Sequence, residues 1–427
     1  MKMLRLMLGF GKSCNFPCNH HSNLGFRHNQ RYNLVNVKLK WVKDNVLDSV
    51  VTGERELRAA WVIVSIIAAD PSCCLPIYRL SGRRRGQLGL PQNLKVSTFM
   101  RKYPNIFDEF HVPDTGGTLV PWFRLTPDAI QLNQESMAVF QQNQKDFVDR
   151  ISKLLLLTQD MILPLQTIDQ LKWDLGLPYD YLDSFISNYQ NIFSLIQLPD
   201  DRPALKLKSR PVEPPISQLE AQATLQQRED DGRLGFHVGF PRGFGLNRKS
   251  IKWLEEWQKL PYTSPYNDSS HLDRRTDVSE KRIVGVFHEL LHLTVEKKTD
   301  RRNVSNLRKP LNLPQKFTKV FERHPGIFYI SKKNNTQTVV LREAYDRHQL
   351  VQKHPISEIR ERFGGLMKEG FLDKSRGLYK KQIDANSGED EVHHVCENGF
   401  KSEEESEGHM FSEYESDETA HLFRLCE

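Results

Sequence analysis

The chain has little cysteine, and it lacks several common catalytic motifs. Its six cysteines, at positions 14, 18, 73, 74, 396 and 426, form no disulfide ladder. The sequence contains no G-x-x-x-x-G-K-[ST], no G-x-S-x-G and no paired-carboxylate signature. Its longest apolar runs, such as residues 59–69, are too short to span a bilayer comfortably. These absences argue against a disulfide-stapled domain, a P-loop nucleotidase, a G-x-S-x-G hydrolase and a membrane span.

Charge is distributed unevenly along the 427 residues. Residues 389–427 carry thirteen acidic and two basic side chains, a net charge of −11. Because the whole chain carries +6, residues 1–388 carry +17, which suits a polyanionic partner. We expect residues 386–427, rich in Glu and Ser, to be a disordered acidic tail. Residues 1–38 mix basic and apolar residues without an acid and predict an organellar transit peptide, mitochondrial rather than chloroplast because Ser and Thr are few.

One pattern occurs three times. A Leu-Pro pair is followed by Ile-Phe, with sixteen, fifteen and fourteen residues from the proline to the phenylalanine. The copies run from Leu90 to Phe107, from Leu177 to Phe193 and from Leu313 to Phe328. Such self-similarity indicates repeated supersecondary units.

Each copy predicts a short helix opened by the proline and followed by a β-hairpin, and an amphipathic helix precedes each copy. The predicted turns lie at residues 114–117, 200–203 and 333–335. In the second copy, a further helix over 168–175 is expected to end at Gly176. We therefore predict an α+β, mainly helical fold with three helix–helix–β-hairpin, winged-helix-like units at about 50–126, 145–208 and 280–345. Winged helices often bind nucleic acids, although such units are also an economical way to bury a core.

Clusters of basic residues predict contacts with phosphates. The first cluster lies beside the first copy, the second lies in an aromatic-rich segment over 236–257, and the third precedes the third copy. The candidate residues are Arg83, Arg84, Arg85, Lys95, Arg101 and Lys102; Arg242, Arg248, Lys249 and Lys252; and Lys297, Lys298, Arg301, Arg302, Arg308 and Lys309. Aromatics in the second segment could stack on unpaired bases, but the helical spacing of Trp253 and Trp257 favours a place in the core.

The pentapeptide from His288 to His292, HELLH, matches H-E-x-x-H. On a helix, two histidines four residues apart can share Zn²⁺, with Glu289 as general base. The third ligand could be Glu296, Glu322 or Glu343, but none of them lies in a recognisable ligand motif. The apolar stripe of this helix points away from both histidines. We therefore expect no metal, no cofactor and no catalytic residue, with a zinc-dependent hydrolase as the alternative.

Several blocks, in order, carry a resemblance to a known family. They are Trp41-Val42-Lys43-Asp44, Tyr103-Pro104-Asn105-Ile106-Phe107, Phe240-Pro241-Arg242-Gly243-Phe244, Trp253-Leu254-Glu255-Glu256-Trp257-Gln258, Arg323-His324-Pro325-Gly326-Ile327-Phe328 and Leu341-Arg342-Glu343-Ala344-Tyr345. Together they resemble the plant organelle RNA recognition (PORR) domain family over roughly residues 41–375, within a domain that we place at 39–380.

The resemblance implies a mitochondrial or chloroplast protein that binds organellar RNA, often group II introns, and promotes their splicing. It brings no map of RNA-binding residues. The expected partner is intron-containing organellar RNA, with other splicing factors as further candidates and no membrane. A scaffold that binds proteins alone is the other alternative. We expect RNA at copies one and three, with copy two serving in packing.

Overall fold

The computed structural model describes residues 37, 39–81, 88–90, 94–225, 234–333 and 337–377. The α-helices in these ranges are α1 Asn45–Val51, α2 Glu54–Ala68, α3 Ile77–Ser81, α4 Val96–Arg101, α5 Pro127–Gln142, α6 Gln144–Leu156, α7 Leu165–Leu175, α8 Tyr181–Ser184, α9 Gln218–Leu225, α10 Arg248–Gln258, α11 Asp277–Leu293, α12 Arg301–Ser305, α13 Lys319–Arg323 and α14 Pro355–Ser375. The β-strands are β1 Cys74–Pro76, β2 Phe107–Pro113, β3 Leu119–Leu125, β4 Ile162–Pro164, β5 Phe193–Gln197, β6 Pro203–Leu207, β7 Lys298–Asp300, β8 Phe328–Ser331, β9 Thr338–Leu341, β10 Tyr345–Asp346 and β11 Gln349–Leu350.

The three repeats build three small antiparallel sheets with one topology. Their strand orders are β1-β3-β2, β4-β6-β5 and β7-β9-β8, and each sheet combines the predicted hairpin with one earlier short strand. The α+β class is therefore confirmed. The earlier strands were not predicted, because three residues are too few to show an alternating pattern.

Local signals explain where several helices begin and end. The α7 helix ends at Gly176, as predicted, and this residue has a left-handed φ of 79°. The α11 helix begins after Thr276, whose hydroxyl accepts from the Ser279 N–H, and acidic residues lie in its first turn, where the helix dipole favours them. The repeat prolines do not open helices directly: Pro178 lies three residues before α8, and Pro314 lies five residues before α13.

Two large hydrophobic cores and a small third cluster, formed by Leu47, Val51, Tyr329 and Val340, organise the described residues. The second and third sheets and their helices share one core, while the first sheet packs on α2 and α4 in another that Phe363 and Met367 of α14 complete. Gly176 marks a close approach within the shared core, because a Cβ atom there would lie 2.6 Å from Val295 Cγ2. No helix in the described ranges is long and apolar enough to cross a membrane. The predicted transit peptide (1–38) falls almost wholly outside the described residues, and the acidic tail (386–427) falls wholly outside them.

The buried carboxyl group of Asp174 links α7 of the second unit to β7 and α12 of the third. Asp174 Oδ2 accepts hydrogen bonds from Thr299 Oγ1 at 2.6 Å and Asn303 Nδ2 at 3.2 Å. Burial, reinforced by the negative charge of Glu54, raises the pKa of Asp174 to about 6. The folded state therefore favours the protonated carboxyl.

This preference makes stability depend on pH. The contribution of Asp174 is fully present below its unfolded-state pKa of about 3.9 and is lost as pH rises through the folded-state value of about 6. Relative to Asp174→Asn, the wild type should lose roughly 2 kcal/mol of unfolding free energy between about pH 4 and pH 6.5. Urea denaturation of both proteins across this range measures the difference, and a constant difference would contradict the prediction.

Candidate nucleic-acid interface

An exposed tryptophan lies against the third hairpin. The Trp41 indole N–H donates to the Ile330 carbonyl at 2.9 Å, and its ring stacks on Tyr329 with a centroid distance of 6.4 Å. Nevertheless, 42% of the Trp41 surface is exposed. The chain just after this ring is fixed, because Asp44 caps α1 while its carboxylate accepts from Arg342 at 2.8 Å. A partly exposed aromatic ring that is anchored at its edge is a candidate stacking surface for an unpaired base.

Cations surround this ring. Lys332 Nζ lies 4.5 Å from the Trp41 ring centroid. The walls of one adjoining cavity of about 310 Å³ include Trp41, Lys43, Lys332 and Lys333, together with the carboxylate of Asp48. The walls of a second cavity of about 330 Å³ include Trp41, Phe244, Lys332 and the Arg301–Glu322 pair. We name this region the third-hairpin surface; it consists of Trp41, Lys43, Phe244, Arg301, Lys332 and Lys333. Stacking rings interleaved with cations are what single-stranded nucleic acids bind.

The aromatic segment that contains the second basic cluster packs beside this surface. Phe240 and Phe244 pack with ring centroids 4.4 Å apart, and Gly326 approaches so closely that a Cβ atom there would lie 2.8 Å from Phe240 Cζ. The segment is therefore held against the third hairpin. Trp253 and Trp257 are buried against His324, which confirms their place in the core.

The predicted basic residues fall into groups by environment. Exposed on the surface are Lys95, Arg242, Arg248, Lys249, Lys252, Arg302, Arg308 and Lys309. Engaged by protein partners are Arg101, which forms a two-pronged pair with Glu109, Lys102, which lies 2.8 Å from Glu56, and Arg301, which lies 3.3 Å from Glu322. Arg83, Arg84 and Arg85 lie outside the described residues.

Two lysines of the third cluster point inward. Lys297 Nζ donates to the His292 carbonyl, and burial lowers the pKa of Lys297 to about 7. Lys298 is buried between Glu296 Oε2 at 2.7 Å and Glu54 Oε2 at 3.0 Å. Both ammonium groups contact acceptors inside the protein. For Lys298 the position in the fold explains this, because β7 begins at Lys298 and its side chain points toward α2. Neither lysine is a proposed RNA contact.

The HELLH histidines converge on Glu343. His288 Nε2 and His292 Nε2 lie 2.7 Å and 2.9 Å from Glu343 Oε1. Burial alone would raise the pKa of Glu343, but hydrogen bonds from both histidines outweigh it and hold this pKa well below its usual range. Burial lowers the pKa of His292 to about 4, so its imidazole is neutral at pH 7.

Glu289 is not positioned for catalysis beside the histidines. Its Oε1 accepts from the Tyr266 hydroxyl at 2.7 Å, and its Oε2 accepts from the Gln218 N–H at 2.6 Å. Both oxygens are committed to structural hydrogen bonds, which argues against a general base. Of the three nominated third ligands, Glu343 joins the histidines, whereas Glu296 pairs with Lys298 and Arg360, and Glu322 pairs with Arg301.

Sequence reasoning missed Trp41, Lys43, Lys332 and Lys333 as site residues. The available signal was a Lys-Lys pair at the start of the third hairpin turn and a tryptophan two residues before Lys43. Neither signal shows that residue 41 and residues 332–333 meet across almost three hundred positions.

A partly exposed aromatic ring beside several cations, on a basic helix–hairpin fold, is typical of proteins that bind nucleic acids. The family is more specific. The chain belongs to the plant organelle RNA recognition domain family, whose model matches residues 42–372.

Named relatives cover most of the chain. It is 37% identical over 347 residues to "Protein WHAT'S THIS FACTOR 9, mitochondrial" of Arabidopsis thaliana, which is 80% of this chain and 88% of the relative. It is 31% identical over 334 residues to "Protein WHAT'S THIS FACTOR 1, chloroplastic" of Zea mays, covering 76% of this chain and 66% of the relative. It is 32% identical over 342 residues to "Protein ROOT PRIMORDIUM DEFECTIVE 1" of Arabidopsis thaliana, covering 76% of this chain and 82% of the relative. No solved structure matches significantly.

Proposed function

We propose that this protein binds organellar intron RNA and promotes group II intron splicing without performing chemistry itself. The observation that carries the proposal is the third-hairpin surface, in a chain that belongs to an RNA-recognition family. Unpaired bases stack on Trp41 and Phe244, while Lys43, Lys332 and Lys333 neutralise phosphates. Group II introns carry their own active site, so a protein that binds the folded intron and stabilises it is sufficient.

The repeated topology supports a finer proposal about the scaffold. In all three units a helix precedes a short strand, one or more helices follow, and a hairpin closes a sheet in which the short strand lies beside the last strand. We propose that these are winged-helix-like units and that the third hairpin acts as an RNA-contacting wing. Exposed Arg242, Arg248, Lys249 and Lys252 extend the basic path beside it. Arg302, Arg308 and Lys309 extend the same path on the stretch that precedes α13.

We propose the mitochondrion as the compartment. The support is the relative named mitochondrial, which this chain matches over 88% of that relative's length, together with the Ser- and Thr-poor N-terminal composition. Other matched relatives are named chloroplastic, so the chloroplast is the alternative.

Immunoprecipitation of the full chain from isolated mitochondria, followed by sequencing of bound RNA, tests function and compartment together. We expect enrichment of transcripts that contain group II introns and accumulation of the same unspliced introns when the protein is depleted. Co-purification of splicing proteins that survives ribonuclease treatment, with no RNA bound by the purified chain, would instead support a protein-only scaffold.

The phosphate-binding role proposed for the third hairpin predicts a change in salt dependence. Removing one lysine that neutralises a phosphate should reduce the slope of log K against log salt concentration by about 0.7 for single-stranded RNA. The double variant Lys332→Gln/Lys333→Gln should therefore bind intron RNA with a slope shallower by about 1.4. Fluorescence anisotropy at several salt concentrations measures the slope.

The matched control changes two exposed lysines elsewhere, Lys208 after β6 and Lys368 on α14. The control variant Lys208→Gln/Lys368→Gln should leave the slope unchanged. Equal reductions in both variants would mean that binding follows overall charge and not the third-hairpin surface.

A further inference from the structure

Three side chains with metal-binding atoms meet between α11 and the turn after β9. His288 and His292 lie one helical turn apart on α11, and Glu343 lies in the short 3₁₀ turn that follows β9. One ligand atom from each, taken together, lies within 4.8 Å of the other two. Both imidazoles present Nε2 to the carboxylate. Two histidines and a carboxylate form one of the protein ligand sets of zinc.

The two oxygens of the Glu343 carboxylate have different surroundings: Oε1 has three nitrogen neighbours, and Oε2 has no hydrogen-bond partner. Glu343 Oε1 faces His288 Nε2 and His292 Nε2 and receives a longer contact of 3.4 Å from Gln222 Nε2. Glu343 Oε2 is buried without a hydrogen-bond partner, and only 8% of the side chain is exposed. A buried carboxylate oxygen without a partner costs free energy. A cation between the three groups would share the charge of both oxygens.

The surroundings leave space for a further ligand. A cavity of about 240 Å³ adjoins the group, and its walls include His292, Glu343, His237, Gln218 and Gln222. Lys297 also lines this cavity, but its ammonium is turned to the His292 carbonyl. His237 is exposed at this cavity and offers a further imidazole to a ligand in it.

We propose that His288 Nε2, His292 Nε2 and the Glu343 carboxylate bind one Zn²⁺ ion, with the fourth position facing this cavity. Imidazole ligands favour zinc over magnesium or calcium, which prefer oxygen. Zinc–nitrogen and zinc–oxygen distances of about 2.0–2.2 Å require the ligand atoms to move apart by roughly half an ångström from their present hydrogen-bonded separation. Residue 292 therefore gains a role that the sequence alone did not support.

The ion would act as a clamp and not as a hydrolytic centre. Both carboxylate oxygens of Glu289 are held by Tyr266 and the Gln218 N–H, so the general base of an H-E-x-x-H hydrolase is committed elsewhere. Zinc would tie α11 to the end of the hairpin that carries Lys332 and Lys333. The proposal goes beyond RNA binding and stands independently of it, because its readouts are metal content and coordination.

Zinc alone is the probe. Full-length protein is stripped of metal, and Zn²⁺ is titrated in competition with a chromophoric chelator. We expect one ion per chain. His292→Asn and Glu343→Gln should each weaken zinc affinity by about 100-fold or more, since even an outer hydrogen-bond partner of a metal ligand is worth about 10–100-fold. His111→Asn, a matched substitution on the first hairpin, should bind zinc like the wild type.

Co²⁺ added to the metal-free wild type provides a test without variants. Visible ligand-field absorption of a four-coordinate nitrogen–oxygen site, displaced by one equivalent of Zn²⁺, supports the proposal. Thermal unfolding then checks that the metal-free His292→Asn protein is folded and that zinc raises the melting temperature of the wild type but not of this variant. Absence of the Co²⁺ band, or equal zinc affinity in the wild type and His292→Asn, would overturn the site.

Discussion

Replacing Lys298 with alanine is expected to destabilise the protein by about 3–5 kcal/mol. Lys298 Nζ lies 2.7 Å from Glu296, 3.0 Å from Glu54 and 2.8 Å from the Val50 carbonyl. Burial would raise the pKa of Glu296, but Lys298 and Arg360 outweigh it and lower this pKa to about 2. Removing the lysine leaves two carboxylates in the interior with one cation fewer, and a buried charge without its partner is costly.

Chemical denaturation at pH 7 measures the loss of stability. Lys309→Ala is the matched control, because it removes an exposed lysine from the same basic run and should change the unfolding free energy by no more than about 0.5 kcal/mol. A loss below about 1 kcal/mol for Lys298→Ala would show that water or rearrangement compensates the two carboxylates. The contrast separates a structural lysine from a candidate RNA ligand in the same basic run.

Replacing Trp41 with alanine is expected to weaken binding of single-stranded intron RNA by roughly 5- to 150-fold, which corresponds to stacking energies of about 1–3 kcal/mol per base on an aromatic side chain. Trp41 is 42% exposed and lines two cavities that several cations also line, so the variant removes the proposed stacking ring. Anisotropy titrations at fixed salt concentration measure the affinity.

Leu195→Ala is the control for Trp41. Leu195 is 60% exposed on the second hairpin, in the unit for which we expect a packing role, so its removal tests whether any exposed apolar side chain contributes. It should leave RNA affinity unchanged. Circular dichroism of Trp41→Ala checks that loss of the hydrogen bond to Ile330 has not unfolded the third hairpin. Unchanged affinity in a folded Trp41→Ala protein would remove this ring from the interface.

Several local features of the fold could be predicted from the sequence. Gly176 ends α7 because a left-handed residue favours glycine, and the first two hairpin turns formed where polar turn residues separate alternating apolar runs. The predicted third turn (333–335) lies mostly outside the described residues. The burial of Trp253 and Trp257 followed from their helical spacing. Strands β1, β4 and β7 were not predicted. Each has three residues and becomes a strand only by pairing with a hairpin strand that lies far along the chain.

The sequence predicted the surroundings of some basic candidates and not of others. Arg242, Arg248 and Lys249 are exposed, as a phosphate contact requires, whereas Lys297 and Lys298, from an equally basic run, point inward. Charge along the chain does not distinguish these cases, because whether a lysine is solvated depends on which element folds over it. Lys298 met Glu54 and Glu296 only because β7 pairs with β9 and packs against α2.

By itself, the sequence determined the α+β class, the threefold repeat, the excess of basic charge outside the tail and the resemblance to an RNA-recognition family. These are properties of composition, period and ordered motifs, which need no knowledge of long-range contacts. Only the tertiary structure decided that Trp41 joins Lys332 and Lys333, and that Glu343, of three nominated glutamates, meets His288 and His292. Both groups are assembled from residues tens to hundreds of positions apart, and their meeting is set by packing of elements that local periodicity does not encode.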